Sequence, residues 1–384
     1  MSQPKALFVA PLRDFSGYAS VSRDYARALN NAGLTIVTRD LIYDNGQYKR
    51  NSAECTWADN NTQGVNIVIQ QTTPNEMEPK AGCFNVGIFC WETDRIPDLW
   101  VNQLNKMDLI LVPCEDNLLV ARKCGVITPV EKVPYSCTIN KYEKSLVPFI
   151  TPGAEDAFKF LAVCQYSKKK GIDPLLKAYL SEFGEYDNAL LILKTYFGPN
   201  DGEAEAKKMH EILNVIKRAL RLKKYPRIQL IHEVMSFDDI ERLHATADCY
   251  CLPSRGEGWG VPHFDALDYG LPVIATKGTG PEEFITPECG WLVDSHMSPC
   301  IDMPHPHDFM YTAQDNWREP QVCALKRAMR EAYELWKRRD DSDAWSKMCL
   351  AAKERVKDFS NDIVGPQLRD VIMKYYEMWR VTCS

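Results

Sequence analysis

The chain has 384 residues, of which 45% are hydrophobic and 26% are charged, an ordinary composition for a soluble globular protein. Its 46 Lys and Arg against 52 Asp and Glu give a formal net charge of −6, which excludes a whole-chain attraction to nucleic acid or anionic membranes. The length suits two domains that each bury a core. Because Met1–Lys5 has no leader-like pattern and no apolar run approaches ~20 residues, we expect a cytoplasmic protein with no transmembrane segment and with reduced cysteines.

Strands and helices are predicted to alternate along the first part of the chain. The apolar run Ala6–Ala10 predicts a strand, and an amphipathic stretch that stops at Gly33 predicts the helix after it. Further strands are predicted at Leu34–Val37, Asn66–Ile69, Asn85–Cys90 and Leu109–Val112, and further helices at Pro97–Met107 and Asp116–Lys123. This alternation indicates βαβ units and therefore a parallel sheet.

A second alternation follows the segment 141–157, whose Pro, Gly and charged residues predict a linker. Strands are predicted at Phe158–Val163, Ala189–Lys194, Ile228–His232, Asp248–Leu252 and Pro272–Thr276, and helices at Pro174–Phe183, Asp201–Leu222 and Phe237–Ala245. Asp315–Phe359 is predicted to be mostly helical, and Asn361–Arg380 to form one last helix. Two successive α/β segments, 1–140 and 158–358, predict two Rossmann-like domains facing a cleft.

The run Ser254–Leu267 places a glycine-rich turn between a buried strand and a helix start. Gly258 and Gly260 allow a close backbone approach to a ligand because they lack a Cβ. Pro262 suits the first helical turn, and the free N–H groups around Gly260 and Val261 point at whatever lies in front of the helix. Strand, turn, helix and strand in this order predict a site for a nucleotide diphosphate.

Two carboxylates flank this turn. Glu257 lies within it, where it can grip sugar hydroxyls, and Asp265 is expected in the first helical turn, where it can accept a hydrogen bond from a ribose. The alternative is a tight turn with a carboxylate that only stabilises the helix N-terminus.

Glu257 and Asp265, separated by seven residues, resemble the Glu-x7-Glu signature of retaining GT-B glycosyltransferases, family four in particular. The flanking segments are similar to that family too: Gly256–Gly260, Gly270–Ala275, Gly278–Phe284 and Gly290–Val293. Asp265 is one methylene shorter than the family's second Glu. The resemblance implies an α/β fold of the GT-B type, in which a C-terminal helix, here 359–384, returns to the N-terminal domain, with 158–358 as the nucleotide-sugar domain and 1–140 on the acceptor side.

The segment Cys164–Asp173 resembles the family's Gly-Arg-x4-Lys-Gly turn after the first strand of the second domain. Lys170 takes the position of the family's Lys, which implies a contact to the donor diphosphate. Gln165 stands where the family has Arg, and Lys169 or Lys168 can compensate for the lost charge. The alternative reading of three consecutive lysines is a solvated turn.

Two N-terminal segments also resemble the family. Phe15–Ala19, with Gly17, is similar to the loop after the first strand, which lines the cleft near the donor phosphates. Phe89–Pro97 resembles a Trp-Glu-Thr-Asp-x-x-Pro stretch, in which Glu92 can orient an acceptor hydroxyl. A local capping network of Glu92, Asp94 and Arg95 is an equal alternative. Glu283 is a further donor-site candidate.

The resemblance implies transfer of a sugar from a nucleotide-diphosphate sugar to an acceptor hydroxyl with anomeric retention, without a cofactor or a metal site. The acceptor can be a saccharide, a lipid, a protein or a modified nucleic acid, and the oligomeric state stays open. Candidate catalytic residues are Lys170, Glu257 and Glu92; candidate donor-binding residues are Gly17, Gln165, Lys169, Gly258, Trp259, Gly260, Val261, Asp265 and Glu283.

Three alternatives remain at this point. The first is a sugar-nucleotide epimerase or hydrolase of the same fold, and the second is a sugar-nucleotide binding protein without catalysis. The third is a sugar transferase that modifies nucleic acid, against which the net charge of −6 argues. The basic stretch Lys217–Arg227 has little aromatic interleaving, so a solvated helix end is favoured there over nucleic-acid contact.

Overall fold

The fold is described from a computed structural model, which covers residues 4–13, 16–42, 61–139, 146–196, 202–233, 235–301, 303 and 310–383. Phe15, Asp201 and residues 141–145, which enter the predictions above, lie outside these ranges. The chain divides into two compact units. Unit 1 comprises Met1–Ile139 and Lys357–Ser384, and unit 2 comprises Asn140–Val356.

Unit 1 is built on a parallel sheet of six strands in the order β2-β1-β3-β4-β5-β6. The strands are β1 Lys5–Ala10, β2 Thr35–Asp40, β3 Val65–Gln71, β4 Phe84–Ile88, β5 Leu109–Val112 and β6 Val130–Lys132, and the first helices are α1 Gly17–Asn31, α2 Asp98–Leu104 and α3 Glu115–Lys123. The predicted parallel sheet is confirmed. Only β6 was missed, because two of its three residues are charged and no apolar run marks it.

Unit 2 repeats this plan with a second parallel sheet, in the order β12-β11-β10-β7-β8-β9. Its strands are β7 Phe158–Gln165, β8 Ala189–Tyr196, β9 Arg227–Ile231, β10 Cys249–Cys251, β11 Val273–Thr276 and β12 Gly290–Val293, with helices α4 Ile172–Glu182, α5 Gly202–Leu220, α6 Phe237–Thr246 and α7 Val261–Asp268. The central strand β7 is buried along almost its whole length, as expected for a parallel strand covered on both faces.

A hairpin follows this sheet, and its second strand lies where the sequence predicted helix. Its strands, β13 Ser295–Pro299 and β14 Asn316–Pro320, are antiparallel, and helices α8 Val322–Lys337 and α9 Ala344–Lys357 come after it. The prediction of helix from Asp315 was therefore wrong at its start. A five-residue strand whose partner lies about 20 residues earlier leaves no local period to detect, and Pro320 ends it before α8 begins.

The last helix, α10 Asn361–Cys383, belongs to unit 1 and packs on α1. Gly365 allows this approach, because a Cβ there would lie 2.6 Å from the carbonyl oxygen of Ala28. Arg369 adds a hydrogen bond of 2.7 Å to the carbonyl oxygen of Ala32 at the end of α1. The predicted return of the C-terminal helix to the N-terminal domain is confirmed.

The order of strands in unit 2 decides where its loops meet. Strands β7, β10 and β11 are neighbours and run parallel, so the loops after them emerge side by side at the carboxyl edge of the sheet. The three predicted donor motifs follow these strands.

None of the helices in the described ranges combines the length and the hydrophobicity of a membrane span.

Candidate active site

A short bend of lysines follows β7. This lysine bend, Ser167–Gly171, contains one turn of 3-10 helix at Lys168–Lys170 and ends at Gly171, whose φ of +65° is in the left-handed region. A Cβ at Gly171 would collide with the carbonyl oxygen of Pro253, just after β10. Only glycine meets both demands, and the bend consequently lies directly against the segment that carries the glycine-rich motif.

The glycine turn, Gly256–Gly260, runs from that segment into α7. Gly260 has a φ of +93° and immediately precedes the helix. The loop after β11 packs on the turn: the Gly280 N–H donates to the carbonyl oxygen of Glu257 over 2.9 Å, and a Cβ at Gly280 would lie 2.6 Å from the backbone nitrogen of Trp259. The three loops therefore form one compact edge.

Lys170 and Glu257 meet across this edge. The Lys170 Nζ lies 2.7 Å from Glu257 Oε1, and the two side chains are 19% and 8% exposed. Burial acts to raise the pKa of Glu257, but the nearby positive charge of Lys170 outweighs it and lowers that pKa to about 2. Glu257 is accordingly a carboxylate at neutral pH. The two residues that the sequence placed at one site are in contact.

Arg255 connects the lysine bend to the glycine turn. Its two terminal nitrogens donate to the Asp173 carboxylate over 2.9 and 3.1 Å. Glu319 of β14 accepts from one of these nitrogens over 2.8 Å and from Nε. Its side chain is 6% exposed. Burial acts to lower the pKa of Arg255, and the hydrogen bonds to Glu319 and Asp173 outweigh it and raise that pKa. Sequence analysis missed this residue, although a charged side chain between a buried strand and Gly256 was a signal.

His263, in the first turn of α7, was also missed. It is fully buried, and its Nε2 lies 2.8 Å from the carbonyl oxygen of Leu252. Because a carbonyl only accepts, Nε2 carries the proton, which leaves Nδ1 as an acceptor without a partner among the described residues. Burial lowers the pKa of His263, with Glu257 opposing, so the ring is neutral at pH 7.

Lys169 lies beside Lys170 and contacts the hairpin segment. Its Nζ donates to the Tyr311 hydroxyl over 3.2 Å and lies 5.4 Å from the centre of the Tyr311 ring. Gln165 is the last residue of β7 and is exposed at the same sheet edge. Lys169 therefore lies on the bend that carries Lys170, and Gln165 lies at the end of the strand before that bend.

Trp259 was named as a donor-binding candidate, but its side chain is buried among other aromatic rings. Its indole is 3% exposed and packs on Phe264 and Phe284, at ring-centre distances of 5.8 and 5.0 Å. The side chain is part of an aromatic cluster beneath the turn. Gly258 and Val261, its neighbours in the motif, lie in the turn and at the first position of α7.

The position of Asp265 requires a correction. Helix α7 begins at Val261, so Asp265 is its fifth residue and lies in the second turn, one turn later than predicted. Glu283 ends the short helical turn Gly280–Glu283 and is half-buried. Arg355 of α9 donates to its carbonyl oxygen over 2.9 Å, which fixes the backbone at this point.

Gly17 and Glu92 belong to unit 1, unlike the residues above. Gly17 is the first residue of α1, directly after Ser16, whose hydroxyl accepts from the Ala19 N–H over 3.1 Å. Glu92 is half-buried in the loop after β4. These two candidates are placed at the carboxyl edge of the first sheet.

The loop that carries Glu92 is held by its neighbours. The Trp91 indole N–H lies 2.7 Å from the Thr93 hydroxyl, and Asn117 bonds the Trp91 backbone at both its N–H and its carbonyl. Asp94 pairs with Lys123 at 3.6 Å. Arg95 pairs with Asp98 at 3.1 Å.

The basic stretch Lys217–Arg227 lies at the end of α5. An open cavity of about 610 Å³ there is lined by Lys217, Arg218 and Arg221, with acidic Glu211 among them. The Tyr225 hydroxyl donates to the carbonyl oxygen of Lys217 over 2.6 Å, so the tyrosine caps a carbonyl group in the last turn of α5. This arrangement does not resemble a stacking platform for nucleic-acid bases.

No group of three or more His, Cys, Asp or Glu side chains in the described ranges is arranged to hold a metal ion. The positive groups gathered at the edge of the second sheet are instead lysines and backbone N–H groups. Their chemistry suits an anion, as does the N-terminus of α7.

The second unit is similar in sequence to a family of known proteins. The family model for group 1 glycosyl transferases matches residues 146–299. Sucrose-phosphate synthase 4 from Arabidopsis thaliana is 30% identical over 144 residues, which make up 35% of this chain and only 13% of that protein's length.

Two solved structures share the fold over nearly the whole chain. Sucrose-phosphate synthase from Thermosynechococcus elongatus has a TM-score of 0.63 at 13% identity and covers 98% of this chain and 100% of its own. The catalytic domain of starch synthase IV from Arabidopsis thaliana, bound to ADP and acarbose, has the same TM-score and coverage at 10% identity. The chain therefore has the GT-B fold, and residues 146–299 of its second unit are similar to group 1 glycosyl transferases.

Proposed function

We propose that this protein transfers a sugar from a nucleotide-diphosphate sugar to an acceptor hydroxyl with retention of the anomeric configuration. The observation that carries this proposal is the contact between Lys170 and Glu257 beside the N-terminus of α7. A glycosyltransferase domain covers both residues, and a structure of the same fold was solved with ADP.

Departure of the nucleotide diphosphate builds negative charge that the protein must stabilise. Lys170, Lys169 and the N–H groups from Gly258 to Val261 supply positive charge at one sheet edge. Fixed donors of this kind often provide the largest share of catalysis. Gln165 at the end of β7, Glu283 on the loop after β11 and Asp265 on α7 are proposed to contact the rest of the donor. The proposed reaction uses no metal and no cofactor.

Glu257 has a separate role in this mechanism. With a pKa of about 2, it stays ionised and accepts hydrogen bonds from donor-sugar hydroxyls; it does not deliver a proton. The acceptor oxygen then bonds to the anomeric carbon on the face from which the phosphate oxygen departs, so the configuration is retained. The acceptor's proton passes to that leaving phosphate. Gly17 and Glu92 are proposed to serve the donor phosphates and the acceptor hydroxyl from unit 1.

Nucleotide binding is the first test. Thermal shift with ADP, UDP and GDP and their sugar conjugates should show a raised melting temperature for one base, since a bound ligand stabilises the native state. The selected donor is then offered to saccharide, lipid and protein acceptors, and NMR of the product assigns its anomer. Donor turnover without an acceptor would instead indicate an epimerase or hydrolase, and an inverted product would contradict retention.

The Lys170→Ala variant tests the site itself. We expect turnover to fall by more than ~10²-fold, the scale of losing one oxyanion donor, while Glu257→Gln should reduce transfer more than nucleotide affinity. Lys347→Ala is the matched control, because it also breaks a lysine–carboxylate pair, the exposed one with Asp343 at 2.8 Å. Near-normal activity of Lys170→Ala would remove Lys170 from the mechanism.

A further inference from the structure

We propose that Arg255 is the positioning residue of this site. It bonds the lysine bend directly and is itself held by the β13–β14 hairpin, and it thereby keeps the bend in the conformation that presents Lys169 and Lys170 to the donor. The inference rests on the proposed function, since it concerns how the diphosphate-binding lysines are held. Nothing in the sequence motifs assigns a role to Arg255 or to the hairpin.

Arg255 binds the bend at two consecutive residues. Its backbone N–H donates to the carbonyl oxygen of Lys169 over 2.6 Å, and its side chain donates to the carbonyl oxygen of Lys168 over 2.5 Å. The bend needs such support for two reasons. A single 3-10 turn has poor hydrogen-bond geometry of its own, and three adjacent ammonium groups repel one another.

Arg255 has no donor left for a ligand. A guanidinium has five N–H groups, and five side-chain hydrogen bonds are formed: two to Asp173, two to Glu319 and one to Lys168. Asp173 lies in the first turn of α4, directly after the bend. The arginine therefore acts on the donor through the bend and does not touch it.

The hairpin provides the other side of this arrangement. Trp317 and Glu319 are two positions apart on β14 and therefore lie on the same face of the strand. Glu319 pairs with the Arg255 guanidinium, and the carbon of that guanidinium lies 5.7 Å from the centre of a Trp317 ring. The Arg318 N–H donates to the carbonyl oxygen of Arg255 over 2.9 Å. Tyr311, in the connection before β14, contacts Lys169. The hairpin thus supports both the arginine and one of the lysines it positions.

A double-mutant cycle between positions 255 and 170 tests this. Arg255→Lys keeps the charge but cannot form the five-bond fork, and we expect it to lower kcat and nucleotide-diphosphate affinity by ~10- to 10²-fold, as misplaced binding groups do. In the Lys170→Ala background the same change should cost less than threefold, because the main group that Arg255 positions is gone. Glu319→Gln, a milder change outside the bend, should show the same pattern with smaller effects.

Arg330→Lys is the matched control. Arg330 also bridges two carboxylates in unit 2, Asp187 at 2.7 Å and Glu182 at 2.9 Å, but on α8 and without contact to the bend. Its effect should be the same in both backgrounds. If the effects of Arg255→Lys and Lys170→Ala simply multiply, Arg255 is only a stabilising residue and the proposal is overturned.

The cycle is measured both in turnover and in calorimetric affinity for the nucleoside diphosphate identified above. Coupling in affinity with no sugar transfer would support the positioning role and contradict the proposed function. Transfer by the wild type together with multiplicative effects would do the reverse. The two proposals can therefore fail separately.

Discussion

Glu257 combines deep burial with full charge, which only its cationic partner makes possible. An unpaired buried carboxylate would take up a proton, whereas here Lys170 holds the pKa of Glu257 at about 2, against 4.5 for the free side chain. Folding consequently favours the ionised form, and this has a measurable effect on stability.

We expect the free energy of unfolding to depend on pH through Glu257. Because the pKa is lowered on folding, the stabilisation is complete above pH ~4.5 and is lost as the pH falls through about 2. Denaturant titrations of the wild type and Glu257→Gln from pH 7 to pH 2 should show their difference shrinking over this window, by on the order of 3 kcal/mol. A difference independent of pH would place the stabilisation elsewhere.

At the residue scale the sequence indicated groups but not their partners. Lys170 and Glu257 were identified because each lies in a recognisable loop after a buried strand. The role of Arg255 was not, since it depends on carbonyl oxygens of residues 168 and 169 and on Glu319, 64 positions away. Asp265 was expected in the first turn of α7, but it is the fifth residue of that helix, which begins at Val261.

Among the elements, the lysine bend depends on Gly171, which has a left-handed backbone and lies against the Pro253 carbonyl. We expect Gly171→Ala to destabilise unit 2 by more than ~2 kcal/mol, because the left-handed backbone alone costs an alanine 1–2 kcal/mol and the new methyl would meet the Pro253 carbonyl. Nucleotide affinity should fall as well.

Gly184→Ala is the control for this change. Gly184 lies just after α4, and a Cβ there meets nothing within 4 Å. Chemical denaturation of both variants measures the stability, and calorimetry measures the affinity. Equal stability of the two variants would show that the bend can shift away from Pro253 and is less constrained than its geometry indicates.

Predictability differed between elements for physical reasons. Parallel strands buried on both faces and amphipathic helices carry strong periodic patterns, and most of them were located within a few residues. The β13–β14 hairpin was not, because its strands are short, half-exposed and far apart in sequence. Its contacts with Arg255 and Lys169 arise only in the folded chain.

In the whole molecule, the first and last segments of the chain form one unit. The contact between α1 and α10 depends on Gly365, where a Cβ would lie 2.6 Å from the Ala28 carbonyl oxygen. Intrinsic helix propensity predicts that alanine at this position stabilises the helix by ~1 kcal/mol. The close approach predicts the opposite sign.

We expect Gly365→Ala to lower the melting temperature of unit 1 while leaving nucleotide binding by unit 2 intact. Differential scanning calorimetry with and without nucleotide distinguishes the two units, because the ligand should stabilise unit 2, which carries the lysine bend and the glycine turn, more than unit 1. Ile363→Ala, at an exposed position of the same helix, should change little. A higher melting temperature for Gly365→Ala would show that α10 can move away from α1 without cost.

The return of α10 also has a consequence for how the protein is made. Chains usually fold domain by domain from the N-terminus as they leave the ribosome. Here the sheet of unit 1 is synthesised before unit 2, yet α10, which belongs to the same unit as that sheet, is synthesised after unit 2. Unit 2, whose residues are contiguous, can reach its native state before α10 is made, whereas unit 1 can be completed only after all of unit 2 has been synthesised.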